Sequence, residues 1–314
     1  MAELARLGHG AANIGNLYRA MSDEDAWAVL EAAWESGIRY FDTAPHYGLG
    51  LSERRLGAFL ATKRRDEYVV STKAGRLLRP SPETADRLDD ANQFAVPASL
   101  KRVWDFSADG IRASLEESLE RLGLSRVDVL YLHDPDEHDL DADLATGIPA
   151  VTALREEGLV TEVGIGSKST DALLAAVRTG ALDLAMVAGR YTLLEQPAQD
   201  DLIPACREAG VSIVAAAVFN SGLLSTPEPG GRYEYGAVPP EMLERARRIA
   251  GVCARHGVEL PAAALQFPLR ERAVRSVVVG GATADHVREN ARRLWAEIPE
   301  ALWQDLAAER LIPT

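Results

Sequence analysis

The 314-residue sequence predicts a single-domain (β/α)₈ TIM barrel spanning residues 1–314, with long loops at its C-terminal face. Three observations lead there. Short, continuous apolar runs recur along the chain, as parallel strands covered on both faces require. Helical patterns separate these runs, so strand–helix units repeat about eight times, which is barrel patterning. The two longest connections, 74–107 and 219–239, both follow strand ends, where a barrel carries its functional loops.

Taken in order, "LARLGHGAANIG" supplies the first strand on a weak pattern. Ser22 opens a helix over 23–36 and Gly37 stops it. Strand 37–42 ("GIRYFD") precedes helix 52–61, and strand 67–73 ("EYVVSTK") follows. Loop 74–107 carries Phe94, Trp104 and Phe106, and reads as an ordered pocket wall. Helix 108–122, strand 127–133 ("VDVLYLH"), helix 143–157, strand 160–166, helix 170–178, strand 182–187 and helix 200–209 continue the alternation. Strand 211–218, loop 219–239, helix 240–256, strand 274–280 and helix 283–296 complete it.

Composition narrows the function. The net charge of -13 argues against a nucleic-acid or anionic-membrane footprint. No apolar run approaches the roughly 18 residues of a membrane span, and "MAELARLGHG" lacks the pattern of a secretory signal. Cys206 and Cys253 each fall in a predicted helix and form no disulfide framework, so a reducing cytoplasm is expected.

The chemistry gathers at strand ends. Asp42 ends the second strand, Lys73 the third and His133 the fourth, and Tyr47 lies in the loop after Asp42. Each alone has an ordinary structural role: a cap, a solvated lysine, a rim histidine, a packed ring. Their convergence on one rim has a chemical logic instead. A tyrosine with its usual pKa near 10 is poorly matched to proton transfer at neutral pH. A lysine cation beside it lowers that pKa, Asp42 can hold the lysine charged, and His133 can orient a substrate oxygen. Such a site moves a proton on and off an oxygen, and a hydride must come from elsewhere.

These four residues, with "FDTAPHYGLGLSERRLG", resemble the aldo-keto reductases, and the resemblance runs over about residues 5–295. It implies that Tyr47 is the acid/base, that Lys73 and Asp42 tune it, and that His133 positions the carbonyl or hydroxyl. It also implies a nicotinamide dinucleotide held without a Rossmann motif, in keeping with the lack of a credible G-x-G-x-x-G. Ser167 in "GIGSKS" inherits the carboxamide contact, where the family usually has asparagine. Tyr191 in "AGRYTLLEQ" is expected to stack on the nicotinamide. Phe219, Asn220, Ser221, Gly222 and Leu223 match the segment that wraps the pyrophosphate through backbone N–H groups. Gly280, Gly281, Ala282 and Thr283, with His286, Glu289 and Asn290 on the following helix, match the adenosine end. Thr283 can cap that helix, whose positive end suits a phosphate. The basic positions that hold the extra phosphate of NADP fall at Gly280 and His286, so NAD is expected over NADP, with Arg288 as a route to dual use.

Within the family, "AGRYTLLEQ", "VWDFSADGIRASLEESLERLGL" and "HDPDEHD" look most like the sugar-oxidising branch. That implies oxidation of an aldose such as L-fucose or D-arabinose at C1 to the lactone. A pyridoxal-like alcohol, or aldehyde reduction, is the alternative. His46 and Trp104 are the candidate substrate contacts, and residues 76–106 and 225–236 the candidate walls. Three rival readings compete: a metal held by His133, Asp134, Asp136 and His138, a Schiff base on Lys73, and a nucleotide-binding regulatory subunit. Consecutive loop residues rarely all point inward and there is no H-E-x-x-H, so no metal is expected. The sequence carries no mark of oligomeric state.

Overall fold

Side-chain alternation within each apolar run decides the architecture. In the computed structural model, which describes residues 4–234 and 236–313, the strands are β1 (Leu7–Gly10), β2 (Tyr40–Asp42), β3 (Val69–Ala74), β4 (Arg76–Pro80), β5 (Leu88–Asp89) and β6 (Phe94–Pro97). They continue as β7 (Leu100–Trp104), β8 (Val129–His133), β9 (Glu162–Ser167), β10 (Leu184–Ala188), β11 (Ser212–Ala216) and β12 (Val274–Val279). Eight of them close into a parallel barrel in the order β1-β12-β11-β10-β9-β8-β3-β2. Tyr40, Val69, Val129, Tyr131, Leu184, Met186, Val214 and Val278 pack together as the barrel's inner core. The residues between them, such as Phe41, Val70, Leu130 and Ala185, belong to the outer core shared with the helices. A strand side chain reverses face at every residue, so the parity that buries Tyr40, Val69 and Tyr131 inside also turns Asp42, Lys73 and His133 inward.

Helices follow the strands at Asp23–Glu35, Leu51–Leu60, Ala108–Leu122, Leu140–Glu156, Thr170–Val177, Leu202–Ala209, Pro240–Arg255 and Ala284–Leu294. Two further helices, Leu260–Gln266 and Glu300–Ala308, escaped the sequence reading. Leu260–Gln266 is buried almost throughout and so shows no polar face to set a period. Several strands begin two or three residues later than expected, as at Tyr40 and Val129. The strand expected over 211–218 stops at Ala216 because Ala217 turns to a left-handed φ of 54°.

The 74–107 connection is ordered. It forms two antiparallel pairs, β4 with β7 and β5 with β6. Arg102 joins them to the rim, with Nη2 donating to Asp89 Oδ2 (2.6 Å) and to the His46 carbonyl (2.8 Å).

Candidate active site

Asp42, Lys73 and His133 reach the rim from β2, β3 and β8, and the loop after β2 brings Tyr47 to them. Lys73 Nζ donates to Asp42 Oδ2 at 2.7 Å and to the Thr43 carbonyl at 2.9 Å, and it lies 4.8 Å from the centre of the Tyr47 ring. Ser71 Oγ donates to the other oxygen of Asp42 at 2.7 Å and contacts Tyr40 OH at 3.1 Å. The Asp42–Lys73 pair is buried, with both carboxylate oxygens and the ammonium hydrogen-bonded, the condition under which such a pair is tolerated. The Tyr47 loop is clamped from behind: Ser52 Oγ bonds Thr43 Oγ1 and the Ala11 carbonyl, both at 2.8 Å.

Burial and charge set the protonation states. Burial alone would lower the Lys73 pKa, but the Asp42 carboxylate, with the Tyr47 hydroxyl as a further partner, carries it upward, so it stays an ammonium. A Schiff-base nucleophile needs a neutral amine, and this lysine is held in the other state. Burial pushes Tyr47 up and Lys73 pulls it down, with Asp42 pushing up again; the outcome is a raised pKa. The expected sign of the lysine effect is present, but burial outweighs it, so Tyr47 rests as a phenol. His133 is held well below its usual pKa by burial and then by Arg76 and Lys73, and is neutral. His46 is neutral for the same reasons, burial first and then Arg102 and Arg76. Its ring meets His133 at 5.6 Å, Phe94 at 5.4 Å and Tyr47 at 6.0 Å, edge to face.

The residues of "HDPDEHD" disperse to separate partners. Asp134 pairs with Arg76, Asp136 Oδ1 accepts from Ser167 Oγ at 2.6 Å, and His138 Nδ1 lies 2.9 Å from Asp143 Oδ2. Among the described residues no three His, Cys, Asp or Glu side chains gather as a metal site. A depression of about 750 Å³, lined by Cys206, Arg207, Arg272 and Arg275, opens at the strand starts, at the opposite end of the barrel from these groups.

Most of the residues expected to hold a dinucleotide lie on loops at the same rim. Thr283 Oγ1 caps helix Ala284–Leu294 by accepting from the His286 N–H (3.2 Å), and Asn290 Nδ2 donates to the Gly280 carbonyl (3.3 Å). Arg19 reaches this loop from beyond β1 and donates to the Ala282 carbonyl at 2.8 Å. Asn220 donates to Glu195 Oε1 (3.0 Å), while its own amide oxygen is buried without a protein partner. The exposed first turn of helix Ala284–Leu294 and an orphaned amide oxygen fit a dinucleotide's phosphates and polar groups.

One expectation needs correction. Tyr191 does not face the rim: its ring packs on Phe267 at 5.4 Å in the outer core, in a depression shared with Trp303, Arg270 and Glu271. The "AGRY" segment breaks strand parity at left-handed Gly189, which the sequence pattern does not reveal. The backbone N–H groups of Asn220, Gly222 and Leu223 donate to Ala217, Phe219 and Asn220 carbonyls. Consecutive left-handed residues fold this segment into the turns that make these bonds. Ser167 directs its hydroxyl to Asp136 and accepts from the Ser169 N–H at 2.8 Å, so its hydrogen bonds already have protein partners.

Trp104 stacks near Phe106 and His138, and the Arg76 guanidinium lies 4.3 Å from its ring centre. Arg76 itself escaped the sequence reading, since three residues past Lys73 it looked like loop. It is buried beside His46, Asp134 and Glu137.

A family model described as the Aldo/keto reductase family matches residues 6–308. The chain belongs to this family. Aldo/keto reductases take nicotinamide cofactors, and this member is an oxidoreductase acting on CH–OH groups. It is 63% identical over 311 residues to a D-threo-aldose 1-dehydrogenase of Pseudomonas sp, covering 98% of this chain and 94% of the relative. It is 37% identical over 322 residues to a pyridoxal 4-dehydrogenase of Microbacterium luteolum, again covering 98% and 94%. An aldo-keto reductase from Bacillus halodurans in its holo form shares the fold at a TM-score of 0.76 and 22% identity, covering 98% of this chain and 91% of that one. Among the described residues of this aldo/keto reductase no helix is long and apolar enough to cross a membrane.

Proposed function

We propose that this protein oxidises an aldose at C1 to the lactone, preferring NAD to NADP, with Tyr47 as the acid/base. The observation that carries the reading is the 63% identity, over 98% of the chain, to a D-threo-aldose 1-dehydrogenase. In oxidation Tyr47, once ionised, takes the proton from the C1 hydroxyl as the C1–H bond breaks. The other half of the chemistry, acceptance of the hydride, would be supplied by a nicotinamide bound beside these residues. Lys73 stabilises the phenolate, Asp42 keeps Lys73 charged and aimed, and neutral His133 donates a hydrogen bond to the reacting oxygen. In reduction the same phenol is already protonated and donates.

The NAD preference rests on three features of the adenosine loop. Gly280 has no side chain, and a Cβ built there would lie 2.5 Å from Asn13 Oδ1, so a basic residue does not fit without moving Asn13. Arg288 pairs with Asp285 (3.2 Å) and Glu35 (3.6 Å), which draws it toward helix Asp23–Glu35. Position 286 carries an exposed histidine in place of a permanent cation. Free thiols at buried Cys206 and Cys253 suit a reducing compartment such as the cytoplasm.

The test is a screen of L-fucose, D-arabinose, L-galactose and pyridoxal with NAD and NADP, followed by the absorbance of the reduced cofactor. Aldose turnover with NAD is expected. Faster oxidation of pyridoxal would replace this reading with the alcohol dehydrogenase one, and no turnover on any of them would favour a regulatory subunit.

A further inference from the structure

Buried Arg76 and partly buried Asp134 form an ion pair beside the proposed proton-transfer site. Arg76 Nη2 donates to Asp134 Oδ2 and to Glu137 Oε2 (3.0 Å), and Nη1 faces His46 Nδ1 at 3.5 Å. Asp134 Oδ2 lies 3.4 Å from His133 Nε2. Two features go beyond an ordinary structural pair. Asp134 holds a left-handed φ of 47°, a conformation costly for a non-glycine residue and concentrated at functional sites. Arg76 is 6% exposed, yet its Nε–H has no acceptor among the protein's groups, and His133 Nδ1 is also buried and unpartnered. Buried donors are ordinarily satisfied, so an orphan of this kind calls for an explanation.

We propose that Arg76 and Asp134 read the hydroxyl on the carbon next to the reacting one. The proposal rests on the aldose reading above. With His133 on the C1 oxygen, the hydroxyl of the neighbouring carbon falls toward Asp134, whose Oδ2 is 3.4 Å from His133 Nε2. The hydroxyl oxygen accepts from Arg76 Nε–H, and its proton is donated to the Asp134 carboxylate. Trp104, stacked on the Arg76 guanidinium, holds that side chain in plane and gives the pair its fixed orientation. A planar donor fork beside a carboxylate matches the donor-and-acceptor character of a hydroxyl. Neither pyridoxal nor a simple aldehyde offers such a group at that position in a sugar's geometry.

The experiment compares oxidation of D-arabinose with that of 2-deoxy-D-ribose, the same pentose lacking the C2 hydroxyl, in the wild type, Asp134→Ala and Arg76→Met. The quantity read is the ratio of the two kcat/KM values, which a loss of folded or active enzyme leaves unmoved. Wild type is expected to favour D-arabinose by about tenfold to a hundredfold, the scale of one hydrogen bond to a charged group. Each variant should bring the ratio close to one, whatever its absolute rate. Variants that keep the wild-type ratio would reduce the pair to a structural clamp for the β4–β7 hairpin and overturn the inference, while the aldose reading stands. Wild type that turns over no aldose with either cofactor would sink both.

Discussion

Lys73 Nζ lies 2.7 Å from Asp42 Oδ2 and 4.8 Å from the centre of the Tyr47 ring, so one ammonium is shared between a carboxylate that fixes it and a phenol that it polarises. The pair makes Tyr47 responsive to charge without exposing the lysine to water. Replacing Tyr47 by Phe removes the proton carrier and keeps the ring. Turnover should fall by about 10²–10⁴-fold, the usual contribution of a proton-transfer group. Titrating the dinucleotide into Tyr47→Phe by fluorescence should give nearly wild-type binding. Wild-type-like turnover in the purified variant would remove Tyr47 from the mechanism.

The pH dependence follows from the sign of the Tyr47 shift. Burial raises its pKa above the usual value near 10, and Lys73 opposes that rise. Oxidation needs the phenolate, so its rate should climb as pH rises into the alkaline range, whereas reduction uses the phenol present at neutral pH. Lys73→Met removes the lowering charge and should push the oxidation profile further alkaline as well as slowing it. Asp42→Asn should combine non-additively with it, because the residues act as a unit. A double variant whose losses simply multiply would argue against the coupling.

Cofactor choice should respond at position 286. His286→Arg places a permanent cation at the exposed start of helix Ala284–Leu294, where the Gly280 site is blocked by Asn13. Wild type should prefer NAD several-fold to a hundredfold, and the variant should gain about tenfold in kcat/KM with NADP, as a charge-assisted phosphate contact allows. Equal wild-type efficiency with both cofactors would mean that Arg19 or Arg288 already serves the phosphate.

Trp104→Ala should raise KM for the sugar more than KM for the dinucleotide. Losing the ring frees the Arg76 guanidinium that stacks on it, at the substrate side of the rim. Sugar kinetics that do not change would leave Trp104 as an anchor among Phe106, His138 and its hairpin.

A stability prediction comes from Gly57, in the middle of helix Leu51–Leu60. Alanine normally suits a helix interior better than glycine by roughly 0.5–1 kcal/mol. Here a Cβ would lie 2.5 Å from the Leu122 carbonyl of the next helix. Overpacking of this kind costs about 1–3 kcal/mol, so Gly57→Ala should melt below wild type. A higher melting temperature would show that the two helices separate at little cost.

The sequence by itself determined the barrel, because short apolar runs and helical periods are local patterns that neighbouring residues impose on one another. It also placed Asp42, Lys73 and His133 on one rim, since strand ends and period-two alternation suffice for that. Even "LSERRLG" was legible as a marker, though Glu53 within it is fully buried against Arg121 (2.6 Å) and Thr72 (2.7 Å) and supports the fold. Tertiary structure alone decided where loop side chains point. Tyr191 turned into the outer core after left-handed Gly189, Ser167 found Asp136, and the N–H groups of Asn220, Gly222 and Leu223 found carbonyls within their own turns. Arg76 became part of the site only because β4 folds back on β7 and carries it beside Asp134. Loop orientation depends on backbone dihedrals and on partners distant in the chain, and neither leaves a period in the sequence. The balance that keeps Tyr47 a phenol is likewise a sum over burial and the charges of Lys73 and Asp42, and only the packed barrel fixes their distances.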